Sequence, residues 1–309
     1  MRLFVRIIPS PLVRLFASPY VAGDSLQKAM DAAASAYADR GVRTTLDLLA
    51  EDIDGQETVQ RNIDTYLRMA DASATDPRFD GSGTRPTLSL KLSSYTTAPL
   101  DRGGDAAGAR EAVFQIADHA QEKGVGLTID MEGLAWTDFT LQTLDDLHRA
   151  GYRDVGAVLQ TRLHRTEADL DRLPEGCRVR LVIGIYQEPE EVATTRKAEM
   201  KQRMLEYAGV LLRRGHYVEF ATHDEAVVKR FLDEVVPATG ATTDRFEVQM
   251  LYGVPRTKLL AQLVQRGVTA RRYIPFALSW PLAIQYLRRR LDEYPQMMFL
   301  VLRNLLLRR

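Results

Sequence analysis

Three consecutive arginines, Arg288, Arg289 and Arg290, follow Tyr286 by two to four positions in the segment RRYIPFALSWPLAIQYLRRRLDE, residues 271–293. The segment reads as a strand end, a turn and then a helix. Successive helical residues point about 100° apart, so three arginines in a row spread over most of a turn and at least one faces inward. A buried guanidinium without a partner is costly, and its planar fork fits a carboxylate bidentately. Where no protein carboxylate stands opposite, a substrate carboxylate can take the place. The plainer alternative is a solvated basic face, and the rest of the chain decides between the two.

The 309 residues carry 41 Lys and Arg against 41 Asp and Glu, a formal charge of zero. That balance excludes the basic footprint of a nucleic-acid binder. The single cysteine, Cys177, rules out an intramolecular disulfide and fits a reducing compartment. The histidines show no metal-binding spacing, so no metal is expected. There is no signal peptide and no unbroken apolar run long enough to span a bilayer. A cytoplasmic protein is expected, soluble or held peripherally on the inner face of the membrane.

One theme repeats along the chain: a short β-rich apolar run, a polar turn, then a helix-patterned stretch. The runs read as strands are 44–49 (TTLDLL), 87–92 (TLSLKL), 126–130 (GLTID), 155–160 (VGAVLQ), 179–185 (VRLVIGI), 217–222 (YVEFAT), 246–251 (FEVQML) and 270–274 (ARRYI). Alternation of this kind implies parallel βαβ units, and the number of units is that of an α/β (β/α)8 barrel. An open doubly wound sheet is the alternative, but no glycine-rich phosphate loop follows the first strand. Residues 1–40 read as an N-terminal helical arm, and 41–309 as the barrel with a C-terminal helix.

Active sites of such barrels gather at the C-terminal strand ends. The polar residues at or just past those ends are Asp47 and Glu51, Lys91, Asp130, Gln160, Arg180 with Tyr186, Thr222 with His223, Gln249 with Tyr252, and Tyr273. Strands buried on both faces are almost purely apolar. A lysine inside SLKLS and an aspartate ending LTID break that rule, as functional sites do. Both ends of the chain, RLFVRIIPSPLVRLF and MMFLVLRNLLLRR, are apolar and dotted with arginine. They suit an anionic membrane surface. Packing across the barrel bottom, or in an oligomer interface, is the other reading.

Taken in order, TLDLLAED, SLKLSSY, LTIDME, VLQTRLHRT, VRLVIGIYQEPEEVA, FATHDE, FEVQMLYGV and YIP followed by YLRRRLDE resemble the proline dehydrogenase family. The likeness spans residues 43–293. It implies a flavin-dependent barrel that oxidises L-proline to Δ1-pyrroline-5-carboxylate with FAD. Electrons would pass to a quinone and the product to a separate pyrroline-5-carboxylate dehydrogenase. Residue by residue, it places Arg180 beside the flavin N5, Gln160 on the pyrimidine edge, and Thr222 with His223 on the ribityl–phosphate part. Asp130 would stand between flavin and substrate, and Arg180, Asp130 and Lys91 form the catalytic set. Lys91, Arg289 and Arg290 would bind the proline carboxylate, while Leu181, Tyr186, Tyr273 and Tyr286 would enclose the ring. Glu51 would pair with Arg289 as a gate on the empty site.

The chain departs from the family where KGAY is usual and IGIY stands here, with Ile183 and Ile185 removing a charge and adding bulk. Two other functions fit a barrel of this kind. One is a methylenetetrahydrofolate-reductase-like flavoenzyme, which would make little use of paired arginines. The other is a catalytically silent scaffold.

Overall fold

A computed structural model describes residues 13–14, 18–50, 53–79, 81 and 83–293, without the side chains of 285–286 and 289–293. Eight parallel strands close into a barrel in sequential order. They are β1 (Arg43–Leu48), β2 (Thr87–Leu90), β3 (Leu127–Ile129), β4 (Val155–Gln160), β5 (Arg178–Val182), β6 (Tyr217–Ala221), β7 (Phe246–Leu251) and β8 (Thr269–Phe276). The open-sheet alternative is thereby excluded, because β1 pairs with both β2 and β8.

The helices of the outer ring are α1 (Leu26–Arg40), α2 (Gln56–Thr75), α3 (Ala109–Lys123), α4 (Thr137–Arg149), α5 (Thr166–Asp169) and α6 (Lys197–Arg213). They continue with α7 (Glu225–Arg230), α8 (Val236–Thr239) and α9 (Thr257–Gln265), and α10 (Trp280–Glu293) closes the order. A π-helical turn, Phe231–Val235, joins α7 to α8. On α2, Val59, Ile63, Tyr66 and Ala70 recur every three or four positions, which turns one stripe onto the barrel.

Strand boundaries depart from expectation where the backbone demands it. β5 stops at Val182 because Gly184 has φ +90°, a left-handed conformation that glycine alone adopts without strain. β2 stops at Leu90 because residues 92–95 wind into a 3-10 turn capped by Lys91. β8 runs longer, to Phe276, and ends at the register partner of Leu48.

Outward strand residues form the apolar layer beneath the helices. Phe220 stacks on Phe231 with ring centroids 4.1 Å apart, and Phe231 meets Phe246 edge-on. The inward face is unlike the branched aliphatic filling usual in such barrels. It carries Lys91, Arg178, Arg180 and Arg271 against Asp47, Asp130, Glu219 and Glu247, so the buried charges balance. Near the bottom Arg271 forms a two-pronged pair with Glu247, at 2.5 and 2.9 Å, and donates to the Thr44 carbonyl oxygen at 2.8 Å.

The ends of the chain occupy two distinct places. α1 starts at Ser25, whose hydroxyl caps the Lys28 N–H, and stops at Gly41 with φ +64°. It packs against β1 and β8 from outside, in the outer ring. This helix of the arm therefore lies along the barrel side. The chain before it is held near the top of β8, where the Ala22 N–H donates to the Pro275 carbonyl oxygen at 2.8 Å. α10 sets Ala283 and Leu287 in a separate apolar cluster with Leu49, Ala277, Val13 and Val21. Leu49 and Ala277 directly follow β1 and β8, so α10 lies at the C-terminal rim. Residues 1–12 and 294–309, which hold most of both arginine-dotted ends, lie outside the described residues. Among the described residues, no helix is long and apolar enough to cross a membrane.

Candidate active site

Alternation along each strand brings polar side chains inward at the C-terminal half of the barrel. Four of the expected residues converge there. Arg180 Nη1 donates to Asp130 Oδ1 at 2.9 Å, and Tyr273 Oη donates to Asp130 Oδ2 at 2.6 Å. Lys91 Nζ lies 2.8 Å from Asp47 Oδ1 and 3.5 Å from Asp130 Oδ2. The Arg180 guanidinium also lies over the Tyr273 ring, 5.2 Å from its centroid. Asp130 is thus the common acceptor of strands β2, β5 and β8, joined by Ser89 Oγ at 2.7 Å.

The electrostatics follow from this packing. Burial first, then Asp130 and Asp47, push the Tyr273 phenol well above its ordinary value, so it stays a proton donor. Burial pushes the Asp47 carboxyl up to about 6, against the downward pull of Lys91. Arg180 is 3% exposed. Burial opposes its charge, but Glu219 and Asp130 more than offset that and raise its pKa. Its Nη2 is buried without a hydrogen-bond partner.

The cofactor candidates follow β4 and β6, the strands on either side of β5, at the same C-terminal end of the barrel. Gln160, ending β4, donates through Nε2 to the Glu132 carbonyl oxygen at 2.8 Å. Glu132 is itself gripped by Ser93, through N–H at 3.0 Å and Oγ at 2.5 Å, which ties the loops after β2 and β3 together. Thr222 Oγ1 accepts the Asp224 N–H at 3.2 Å, at the start of α7. His223 Nε2 accepts the Leu251 N–H at 2.9 Å, which assigns the remaining ring proton to Nδ1. Burial, with Arg256 nearby, lowers the His223 pKa to about 4, so the imidazole is a neutral donor at pH 7.

Leu181 is corrected by the strand register. It stands opposite Phe220, whose ring packs on the helix layer, and it is itself fully buried in the main apolar cluster. Leu181 therefore faces the helices and cannot enclose a ligand beside Arg180. Apolar residues that share the inward face are Val158 and Val182, level with Arg180 and Gln160, and Leu251, which pairs with Tyr273 and is half-buried at the rim. Tyr186 sits beyond β5, with its ring against the loop after β3 near Gly133. Ile185, expected as a bulkier wall, is 46% exposed. Gln249 donates to Glu219 and Glu247, and the Tyr252 N–H donates to the Tyr273 carbonyl oxygen. The backbone of Tyr286, Arg289 and Arg290 belongs to α10 at the rim, but their side chains lie outside the description. Glu51 also lies outside the described residues.

Several site residues escaped the sequence reading. Ser89 and Glu219 grip Arg180, at 2.9 and 3.0 Å, and Arg256 Nε donates to the His223 carbonyl oxygen at 3.0 Å. For Glu219 a signal existed: it is a glutamate between Val218 and Phe220 in a run otherwise suited to burial.

A flavin fits these residues on one structural test. A buried guanidinium nitrogen with no protein partner requires an acceptor, and Arg180 Nη2 is such an atom. Neutral His223 and cationic Arg256, adjacent beyond the ends of β6 and β7, suit a diphosphate.

Comparison with known proteins agrees with the geometry. The family model described as proline dehydrogenase matches residues 30–297. A proline dehydrogenase of Deinococcus radiodurans is 35% identical over 297 residues, covering 94% of this chain and 90% of the relative. Proline dehydrogenase 2 of Bacillus subtilis is 32% identical over 257 residues, 83% of this chain and 79% of that protein. Among solved structures, proline utilization A (PutA) from Bdellovibrio bacteriovorus, inactivated by N-propargylglycine, superposes with a TM-score of 0.76 at 22% identity. It covers 92% of this chain, which spans 34% of that longer protein, and the likeness shows the shared barrel. With the family match running from α1 to residue 297, and a relative 35% identical over 94% of the chain, this chain belongs to the proline dehydrogenase family.

Proposed function

We propose that this protein oxidises L-proline to Δ1-pyrroline-5-carboxylate with FAD as its cofactor, and passes the electrons to a quinone. The observation that carries this reading is Arg180: a buried cation held on two nitrogens, with its third unpartnered in the barrel interior. Family membership supplies the reaction class, and the residues supply the rest.

When bound, FAD supplies the acceptor for two electrons and the C5 hydrogen, which leaves the ring nitrogen doubly bonded to C5. Arg180 Nη2 offers charge and a hydrogen bond where negative charge builds up in that transfer. Lys91, with Arg289 and Arg290 from α10, holds the substrate carboxylate, and Tyr273, Tyr286, Tyr186 and Leu251 surround the ring. Fixing the ring in this way makes the transfer effectively unimolecular. Asp130 keeps Tyr273 and Arg180 in register with each other. The cations at the mouth lower the pKa of the substrate amine, which must lose its proton before its lone pair can form the imine. Gln160, Thr222, His223 and Arg256 hold the cofactor. Glu51 pairs with Arg289 on the empty site. The product passes to a separate pyrroline-5-carboxylate dehydrogenase, and the arginine-dotted ends approach the membrane surface that holds the quinone.

The test is an anaerobic visible spectrum of the purified protein before and after L-proline. Bleaching of a flavin band by proline and not by NADH is the expected result. Bleaching by NADH alone would replace this reading with the folate-reductase one. Absence of flavin after FAD is supplied would leave a silent barrel.

A further inference from the structure

Glu219 lies on β6 at 0% exposure, and the proposed reaction makes no use of it. Its Oε2 accepts from Arg180 Nε at 3.0 Å and from Gln249 Nε2 at 2.7 Å. Its Oε1 accepts from Arg178 Nη2 at 2.6 Å and Nε at 3.1 Å. The carboxylate thus bridges two arginines on the neighbouring strand. Arg178 in turn reaches Asp154 at 2.7 Å, a residue open to solvent at 62% side-chain exposure. Although burial opposes its charge, Arg178 and Arg180 draw the Glu219 pKa down to about 2, so it is ionised at any working pH.

The consequence lies in the shape of a guanidinium. Its nitrogens are coplanar, so fixing two of them fixes the direction of the third. Glu219 fixes Nε, and Asp130 with Ser89 fixes Nη1, both at 2.9 Å. Nη2 is then aimed with no freedom left, and it is the atom without a partner. The same carboxylate, in contact with Arg180, cancels part of its positive potential, and Arg178 competes for that cancelling charge.

We propose that Glu219 is a positioning residue for the proline-oxidising site: it locks Arg180 with Nη2 turned toward the cofactor and, balanced by Arg178, sets how much positive potential Arg180 presents there. The inference rests on the reading of Arg180 given above.

Two substitutions act with opposite signs. Glu219→Gln keeps the length and removes the charge, leaving Arg180 less compensated and reduced flavin favoured. The equilibrium of the flavin half-reaction then shifts at least tenfold toward the reduced form, about 30 mV for a two-electron couple. Arg178→Gln leaves Glu219 to Arg180 and Gln249, and shifts the equilibrium toward oxidised flavin. A merely structural Glu219 would lower the melting temperature in both variants without opposed shifts.

The holoproteins are equilibrated anaerobically with redox dyes of known potential, with flavin content and melting temperature measured alongside. Opposed shifts are the expected result. Unchanged potentials, or shifts of one sign in both variants, overturn the role of Glu219. Should Glu219→Gln fail to fold, Arg178→Gln decides: a potential at or above that of the unaltered protein overturns the proposal. An unaltered protein that takes up no flavin overturns the reading of Arg180 and this inference together. One that is bleached by proline, with variants that do not shift, overturns the inference alone.

Discussion

Tyr273, on β8, and Asp130, just past β3, are joined across the barrel by a 2.6 Å hydrogen bond in which the phenol is the donor. Asp130 also accepts from Arg180 and Ser89 and lies 3.5 Å from Lys91. Asp130→Ala therefore removes the acceptor of Tyr273 and one carboxylate partner each from two buried cations, which keep Asp47 and Glu219. Breaking a buried charge pair from one side costs about 3–5 kcal/mol. Urea unfolding should show a loss of that order, and kcat/KM for proline should fall at least about a hundredfold, the equivalent of about 2.7 kcal/mol in transition-state stabilisation.

Tyr273→Phe makes a narrower cut. It keeps the ring against the Arg180 guanidinium and deletes the donor to Asp130. A hydrogen bond to a charged group contributes about 1.5–3 kcal/mol. A fall in kcat/KM of about tenfold or more is expected, with flavin content unchanged. Loss of flavin instead would show that the hydroxyl shapes the cofactor site.

The pair at the barrel bottom should behave differently. Arg271 and Glu247 are buried and bound two-pronged, far down β8 and β7 from the strand ends. Arg271→Met strands Glu247 and should cost about 3–5 kcal/mol, whereas replacing both partners by methionine should recover much of that loss. Kinetics per folded molecule should be unchanged in both. Stability of the double variant at or below that of the single one would contradict this account.

The strands were legible because each is a short β-rich apolar run between turn residues, as a strand buried on both faces must be, and each of the eight lies within a few residues of its expected place. Lys91, Asp130, Arg180 and Tyr273 stood out because charge or hydroxyl interrupted those runs. Leu181 was misplaced although strand parity decides it: with Arg180 inward, its neighbour must face the helices. Glu219 was hidden for another reason. The glutamate in YVEFA breaks an apolar run, but what it does there follows only from its partners on β5, which lie 39 and 41 positions earlier. The site of α10 was also beyond pattern. Its periodicity gives an apolar stripe, while its docking depends on where β1 and β8 end in the closed barrel, just before Leu49 and Ala277, and on Val13 and Val21 from the chain before α1.

His223 gives a pH dependence whose sign can be worked out. Burial, followed by Arg256, lowers its pKa from the ordinary 6.5 to about 4 in the folded protein. Between these values the unfolded chain binds a proton that the folded chain does not. Stability from this group is therefore complete above pH 6.5 and is lost as pH falls toward 4, by at most about 3 kcal/mol. Asp47 acts in the opposite sense, since its folded value, raised to about 6, favours the folded state as pH falls from 6 toward 3.8. Comparison with His223→Gln removes that complication, because both proteins keep Asp47 and glutamine retains an acceptor for the Leu251 N–H. Urea unfolding at pH 7 and pH 4.5 is the measurement. The unaltered protein should lose more stability than the variant between the two, and equal losses would mean that folding leaves the His223 pKa where it is in the unfolded chain.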